Sequence, residues 1–141
     1  MINRLNNEKG VTLLETLATT IIIAFAMISL YMGIIYADKQ VQRNYHDRVA
    51  TLQASGELDW QAYYIKNYKE FDIYNDRQVV LDRLARGSLI GFKSTSSKAA
   101  LENPFGLSVP YTILTVSVRW LEPGDTGKGK ERRIVVREDF Y

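Results

Sequence analysis

Polarity divides the start of the chain sharply. Residues 1–10 are mostly polar, with Arg4 and Lys9 as basic positions, and across residues 11–37 Glu15 is the only charged side chain. A helix over 11–37 would be about 40 Å long, more than the roughly 30 Å hydrocarbon core of a bilayer. Residues 17–36 alone are enough to span. The pattern therefore predicts a helical anchor, residues 11–37, behind a short leader, residues 1–10.

After Ala37 the pattern becomes amphipathic. Val41, Tyr45, Val49, Leu52, Gly56, Trp60 and Tyr63 recur at steps of three and four, which marks one helical stripe. Asp38, Lys39, Gln42, Arg43, Asp47, Arg48 and Glu57 fall mostly off it. The helix is expected to continue to about Tyr68 and to pack this stripe on a globular part, residues 38–141. His46, off the stripe, is expected in solvent. Tyr63, Tyr64, Tyr68 and Tyr74 read as aromatic caps of the core with wet hydroxyls, ahead of a binding platform for sugars or bases.

Further along, Asp76 is placed to cap a second helix over 76–86 and Gly87 to end it. Residues 88–93 read as a short strand, and 94–104 as a polar connector. Residues 111–120 are rich in β-branched and aromatic side chains, as are 132–137, and a glycine-rich loop separates them. The two predict a C-terminal β-hairpin.

The leader and anchor allow three readings. A cleaved secretory signal has a shorter apolar run and a small-residue cleavage site, which residues 31–36 do not offer. A plain signal anchor fits the hydropathy, and Arg4 and Lys9 would keep the N-terminus cytoplasmic and the rest of the chain outside. It leaves Glu15 unexplained, because a carboxylate inside an apolar helix is costly and marks function. The third reading rests on Lys9-Gly10-Val11-Thr12-Leu13-Leu14-Glu15. This run resembles the processing site of type IV pilins and pseudopilins. The resemblance implies that prepilin peptidase cuts between Gly10 and Val11 and that Val11 becomes N-methylated. Glu15 is then the family's fifth-residue glutamate and Thr12 the threonine often beside the cleaved residue. Val11 stands where phenylalanine or methionine is commoner.

The spacing has a physical basis of its own. Cleavage after Gly10 frees an amine on Val11, and Glu15 lies four residues on, on the same helical face. In a filament the terminal amine of a neighbouring subunit would meet Glu15 in a low-dielectric environment. That pairing offsets the desolvation of the carboxylate and favours one axial stagger. Thr12, Thr16, Thr19 and Thr20 are tolerable in lipid because their hydroxyls bond to carbonyls of the preceding turn.

The resemblance implies a pilin-like α+β fold: a long N-terminal helix packed against a small antiparallel sheet that ends in the C-terminal hairpin. It implies a minor pilin or pseudopilin of a type IV pilus or type II secretion pseudopilus. The absence of a proline in the anchor and of cysteine favours a minor component. Expected partners are prepilin peptidase, other pilins or pseudopilins, the inner-membrane assembly platform and membrane lipid.

Composition narrows the chemistry further. Hydrophobic residues make up 46% of 141, many of them in the anchor, so the remaining core is modest. A net charge of +2 from 18 basic and 16 acidic side chains carries no argument for nucleic acid. With no cysteine and one histidine, disulfides, thiolate metal sites and histidine clusters are excluded. The loop Asp125-Thr-Gly-Lys-Gly-Lys130 lacks the phosphate-loop spacing and a following helix. Glu122 and Asp125 are too few ligands for calcium. No set of nucleophile, base and orienting group is visible, so neither a cofactor nor an enzymatic activity is expected. Lys128, Lys130, Arg132, Arg133 and Arg137 make the last hairpin locally basic. The alternative function is accordingly a membrane-anchored module that captures DNA or glycan through Lys128, Lys130, Arg132 and Arg133. Glu131, Glu138 and Asp139 dilute that charge, and a solvated hairpin is the preferred reading.

Overall fold

The computed structural model describes residues 13–84, 87–102, 108–124 and 130–141. It is an α+β fold of one long helix and four strands in one antiparallel sheet. Helix α1 is Leu13–Tyr68, and the chain divides within it into two compact units, Met1–Val41 and Gln42–Tyr141.

Within the first unit α1 is apolar and long enough to cross a membrane. Its large side chains lie open, among them Leu14, Ile22, Phe25, Leu30 and Ile34.

In the second unit α1 ends where expected. The Lys69 amide donates to the Ile65 carbonyl at 2.9 Å, and Lys69 takes a left-handed φ of 64° that stops the helix. The sheet runs β1 (Arg77–Leu84), β2 (Gly87–Glu102), β3 (Val109–Leu121) and β4 (Glu131–Phe140), each paired with the next. The expected C-terminal hairpin is β3 and β4, in register from Thr112 opposite Phe140 to Leu121 opposite Glu131.

Two expectations for the middle of the chain are overturned. Of the expected helix over 76–86, Arg77–Leu84 is instead β1, with Val79 and Leu81 turned toward the core. Asp76 takes a φ of 55° ahead of the strand, and its amide bonds to the Ser94 hydroxyl rather than capping a helix. Gly87 opens β2 with a φ of 142°, a conformation that glycine alone adopts at little cost. The expected connector over 94–104 is strand as far as it is described, because β2 continues to Glu102 opposite β3. Serine, lysine and alanine in this stretch are weak strand formers, and pairing with the strongly strand-forming β3 decides the conformation.

The core sits between the second half of α1 and the inner face of the sheet. It joins Ala50, Ala54 and Leu58 to Leu81, Leu89, Leu114, Val116, Val118 and Trp120. Two fully buried alanines one helical turn apart give α1 a smooth face against the inner side of the sheet. This corrects the expected stripe. The buried helical positions are His46, Ala50, Ala54, Glu57, Leu58 and Gln61, while Tyr45, Leu52, Trp60 and Tyr63 are exposed. The packing face has the expected period but is rotated by about one residue, roughly 100°.

Candidate functional site: the apolar helix and the polar seam under the sheet

The first unit places Glu15 in the first turn of α1. There a carboxylate faces the positive end of the helix dipole. The nearby hydroxyls satisfy themselves as expected. Thr16 donates to the Leu13 carbonyl at 2.8 Å, Thr19 to Glu15 at 2.7 Å, and Thr20 to Thr16. Ser29 does the same to Phe25 at 2.8 Å. These four hydroxyls are therefore spent on their own helix, and from Leu13 to Ala37 Glu15 is the one charged side chain. Gly10, Val11 and Thr12, the expected processing residues, lie outside the described residues.

The second unit carries the feature the sequence reading missed, a seam of buried polar side chains between α1 and the sheet. His46, expected in solvent, is 2% exposed. Its Nδ1 lies 2.9 Å from Glu122 and its Nε2 3.3 Å from Asp82. Glu122 also accepts the Trp120 indole N–H at 2.8 Å. Asp82 reaches His46 because of a β-bulge: the β1–β2 register shifts between Val80 and Asp82, so that Leu81 is extra. A bulge re-aims the side chains that follow it, and here Leu81 and Asp82 both turn inward. Gly91 makes room for this. A Cβ there would stand 3.0 Å from the Leu81 Cδ1 and 3.3 Å from the Arg119 carbonyl oxygen.

Further along α1, Glu57 pairs with Lys93 of β2 at 2.5 Å, both nearly buried. Gln61 donates to Glu57 at 2.9 Å and to the Asp72 carbonyl at 2.7 Å, and accepts the Asp72 amide at 2.8 Å. Gln61 thereby fixes the segment that leaves the helix. Burial alone would raise the Glu57 carboxyl. The Lys93 ammonium, the nearby Tyr74 hydroxyl and the Gln61 amide together outweigh it and hold the group below its ordinary value. Tyr74 is pushed the other way, first by burial and then by the Glu57 carboxylate. Its hydroxyl and that of Thr95 are buried without a hydrogen-bond partner among the described residues.

The seam joins α1 to the sheet, with Glu122 and Asp82 at opposite nitrogens of the His46 imidazole. Among the described residues no group of three His, Cys, Asp or Glu is set to hold a metal. Glu122, weighed above as a calcium ligand, is 5% exposed and engaged by His46 and Trp120. Asp125 lies outside the described residues.

The basic residues of the hairpin divide between the two faces of the sheet: Arg133 and Arg137 share the outer face with Arg119, the register partner of Arg133, and Arg132 lies on the inner one. Adjacent strand positions face opposite sides. Arg132 points to α1 and grips Asp47 with two bonds, 3.1 and 2.6 Å. Arg133 and Lys130 are exposed. Arg137 pairs with Asp139 at 3.1 Å, and Arg119 of β3 with Asp76 at 2.9 Å and Glu131 at 3.3 Å. Lys128 lies outside the described residues. These pairs reduce the charge available to a phosphate backbone.

The aromatic residues late in α1 form a ladder on the open side: Trp60 lies 5.6 Å from Tyr63, and Tyr64 4.5 Å from Tyr68, between ring centres. Tyr74 stands apart under the Arg77 guanidinium, 3.8 Å from its ring. The four tyrosines thus do not make one platform. Compared with known proteins, the chain matches no family model, no curated protein and no solved structure.

Proposed function

We propose that this chain is a minor pilin or pseudopilin, a structural subunit that stands in the inner membrane before it joins a filament. The observation that carries the reading is the first unit of α1: an exposed hydrocarbon helix whose only charged side chain before Asp38 is Glu15, in its first turn. A plain anchor has no use for that carboxylate. A helix that exchanges lipid for neighbouring helices does, because a cleaved chain presents an amine to pair with it. Lys9, Gly10 and Val11 supply the processing sequence that the reading requires. In this reading prepilin peptidase trims the chain after Gly10, the N-terminus stays cytoplasmic, and the domain stands outside. The assembly platform then lifts the subunit among other pilins or pseudopilins.

The open apolar side of α1 in the second unit supports the same reading. Tyr45, Leu52, Trp60 and Tyr63 present a surface that a soluble monomer would be expected to bury. The mature N-terminus tests the proposal. Mass spectrometry of the membrane-extracted protein should find a chain beginning at methylated Val11, and replacement of Gly10 should abolish that species. An intact Met1 on the mature protein refutes the proposal. Glu15→Ala should leave cleavage intact and reduce incorporation into filaments. Normal incorporation would refute the pairing role of Glu15.

A further inference from the structure

Strand β2 is longer than its partner on one side. Its pairing with β1 begins at Lys93 opposite Arg77, whereas its pairing with β3 runs on to Glu102 opposite Val109. The segment before β1 covers one more position, where the Thr95 amide donates to the Tyr74 carbonyl at 2.9 Å. Beyond Thr95, residues 96–102 have a strand on one side only, and no backbone hydrogen bond reaches their other edge among the described residues. Since the Thr95 N–H points to that edge, alternation directs the backbone groups of Ser97, Ala99 and Leu101 the same way. An unpaired edge of this length is a template for another strand.

The side chains along the edge say which strand fits. Lys98, Ala100 and Glu102 share the outer face of the sheet with Tyr111 and Tyr141, and the Tyr141 hydroxyl donates to Glu102 at 3.3 Å. Ala99 and Leu101 share the inner face. Both line an open apolar groove of about 630 Å³ at this corner of the sheet, walled by Ile65, Phe71 and Phe140 on the inner side and reached by Ala100, Tyr111 and Tyr141 from the outer, and Leu101 is 68% exposed. An antiparallel second copy of the edge, centred on Ala100, puts Lys98 of each copy opposite Glu102 of the other. It also puts Ala99 opposite Leu101, both with backbone groups directed at the partner, and Ala100 opposite itself. Opposite charges meet at both ends, and apolar side chains meet on the groove side. A shift of two residues along either strand would lose the charge match.

We infer that the β2 edge, residues 96–102, is a self-recognition site that joins two copies of this chain through an antiparallel, two-fold strand pairing centred on Ala100. The pairing extends the sheet from four strands to eight and covers Leu101. It is a closed, isologous contact. A filament grows by head-to-tail contacts, so the pairing belongs to subunits outside a filament. It stands or falls independently of the filament reading.

The natural chain contains no cysteine, so each single substitution creates a unique thiol. In the pairing, the two Ala100 positions form a non-hydrogen-bonded pair with Cα atoms about 4.5 Å apart, within the range of about 4.4–6.8 Å that a disulfide spans. Full-length Ala100→Cys in membrane vesicles, treated with a mild oxidant, should give several-fold more disulfide dimer than Val135→Cys on exposed β4. Lys98→Cys alone should give none above that control, because its own counterpart lies about four strand positions away, roughly 13 Å. Mixed Lys98→Cys and Glu102→Cys chains should cross-link to each other. The inference is overturned if Ala100→Cys gives no more dimer than Val135→Cys, or if Lys98→Cys alone cross-links as well as Ala100→Cys. It is equally overturned if the cross-linked product does not have twice the mass of the chain, which would make another protein the occupant of the edge.

Discussion

Helix α1 obeys two opposite rules along its length. In the first unit its apolar side chains face outward and the hydroxyls of Thr16, Thr19 and Ser29 are satisfied within the helix. In the second unit three of its polar side chains, His46, Glu57 and Gln61, are buried against the sheet beside Ala50, Ala54 and Leu58, while Leu52 and Trp60 stay open. The first arrangement suits lipid, where hydrocarbon outside costs nothing and unsatisfied polar groups cost most. The second is unusual for a water-facing helix, since burial of charge has to be compensated by paired and hydrogen-bonded partners. Polarity alone therefore does not tell which side of this helix packs. The partners offered by the sheet decide it.

The largest expected effect breaks the inward half at its ion pair. Lys93→Met removes the cation facing Glu57 and leaves the carboxylate buried with Gln61 as its remaining hydrogen-bond donor. Stability should fall by about 3–5 kcal/mol, read from denaturant unfolding of the full chain in detergent, followed by Trp120 fluorescence. A double replacement, Glu57→Leu with Lys93→Met, should recover much of the loss, since an apolar pair needs no compensation. If Lys93→Met were silent, the seam would not hold the helix to the sheet.

Next in size is the buried alanine face of the helix. Ala54 is fully buried, and Ala54→Leu forces a larger side chain into a filled space. It should destabilise by about 1–3 kcal/mol. An increase in stability would instead show that the expected stripe, and not the alanine face, packs on the sheet.

Acid should then separate the two halves more gently. Glu57 is held below its ordinary value of 4.5, so its ionised form contributes stability that is complete above that value. The contribution is lost as pH falls through the lowered folded value. The stability gap between the natural chain and Glu57→Gln should be widest at neutral pH and close on the acid side of pH 4.5. A gap that is constant from neutral pH into acid would remove Glu57 as an acid-sensitive contact.

Much of this architecture is legible in the residues. The end of α1 at Tyr68 and the pair β3 and β4 follow from periodicity and from runs of valine, isoleucine and threonine. The run from Asp76 to Gly87 misleads because a capping residue before it and a glycine after it suit a strand hairpin as well as a helix. Only pairing with β2 separates the two. The buried face of α1 misleads for a different reason. Stripe reading counts large apolar residues, and this face is built of alanine and polar side chains whose partners, Asp82, Lys93 and Glu122, come from distant positions. Spacing alone could have raised the question: His46, Ala50, Ala54, Glu57 and Gln61 also recur at steps of four and three. Nothing local marks Asp82 as inward, since a bulge that depends on Gly91 aims it.

The smallest expected effect sharpens the comparison most, because it asks what the outward half of the second unit is for. Leu52 is 72% exposed, so Leu52→Ser removes little buried area and should change stability by no more than about 0.5 kcal/mol. If exposure were the whole account, nothing else would change. In the proposed function the same face, with Tyr45 and Trp60, meets neighbouring subunits, so incorporation into filaments should drop while the melting temperature stays level. Quantifying the variant in sheared filaments against its level in the membrane separates the two outcomes. A fall in both stability and incorporation would mean that Leu52 packs within its own domain. Unchanged incorporation would leave the apolar face of the second unit without a role in assembly, and the contrast along α1 would then concern folding alone.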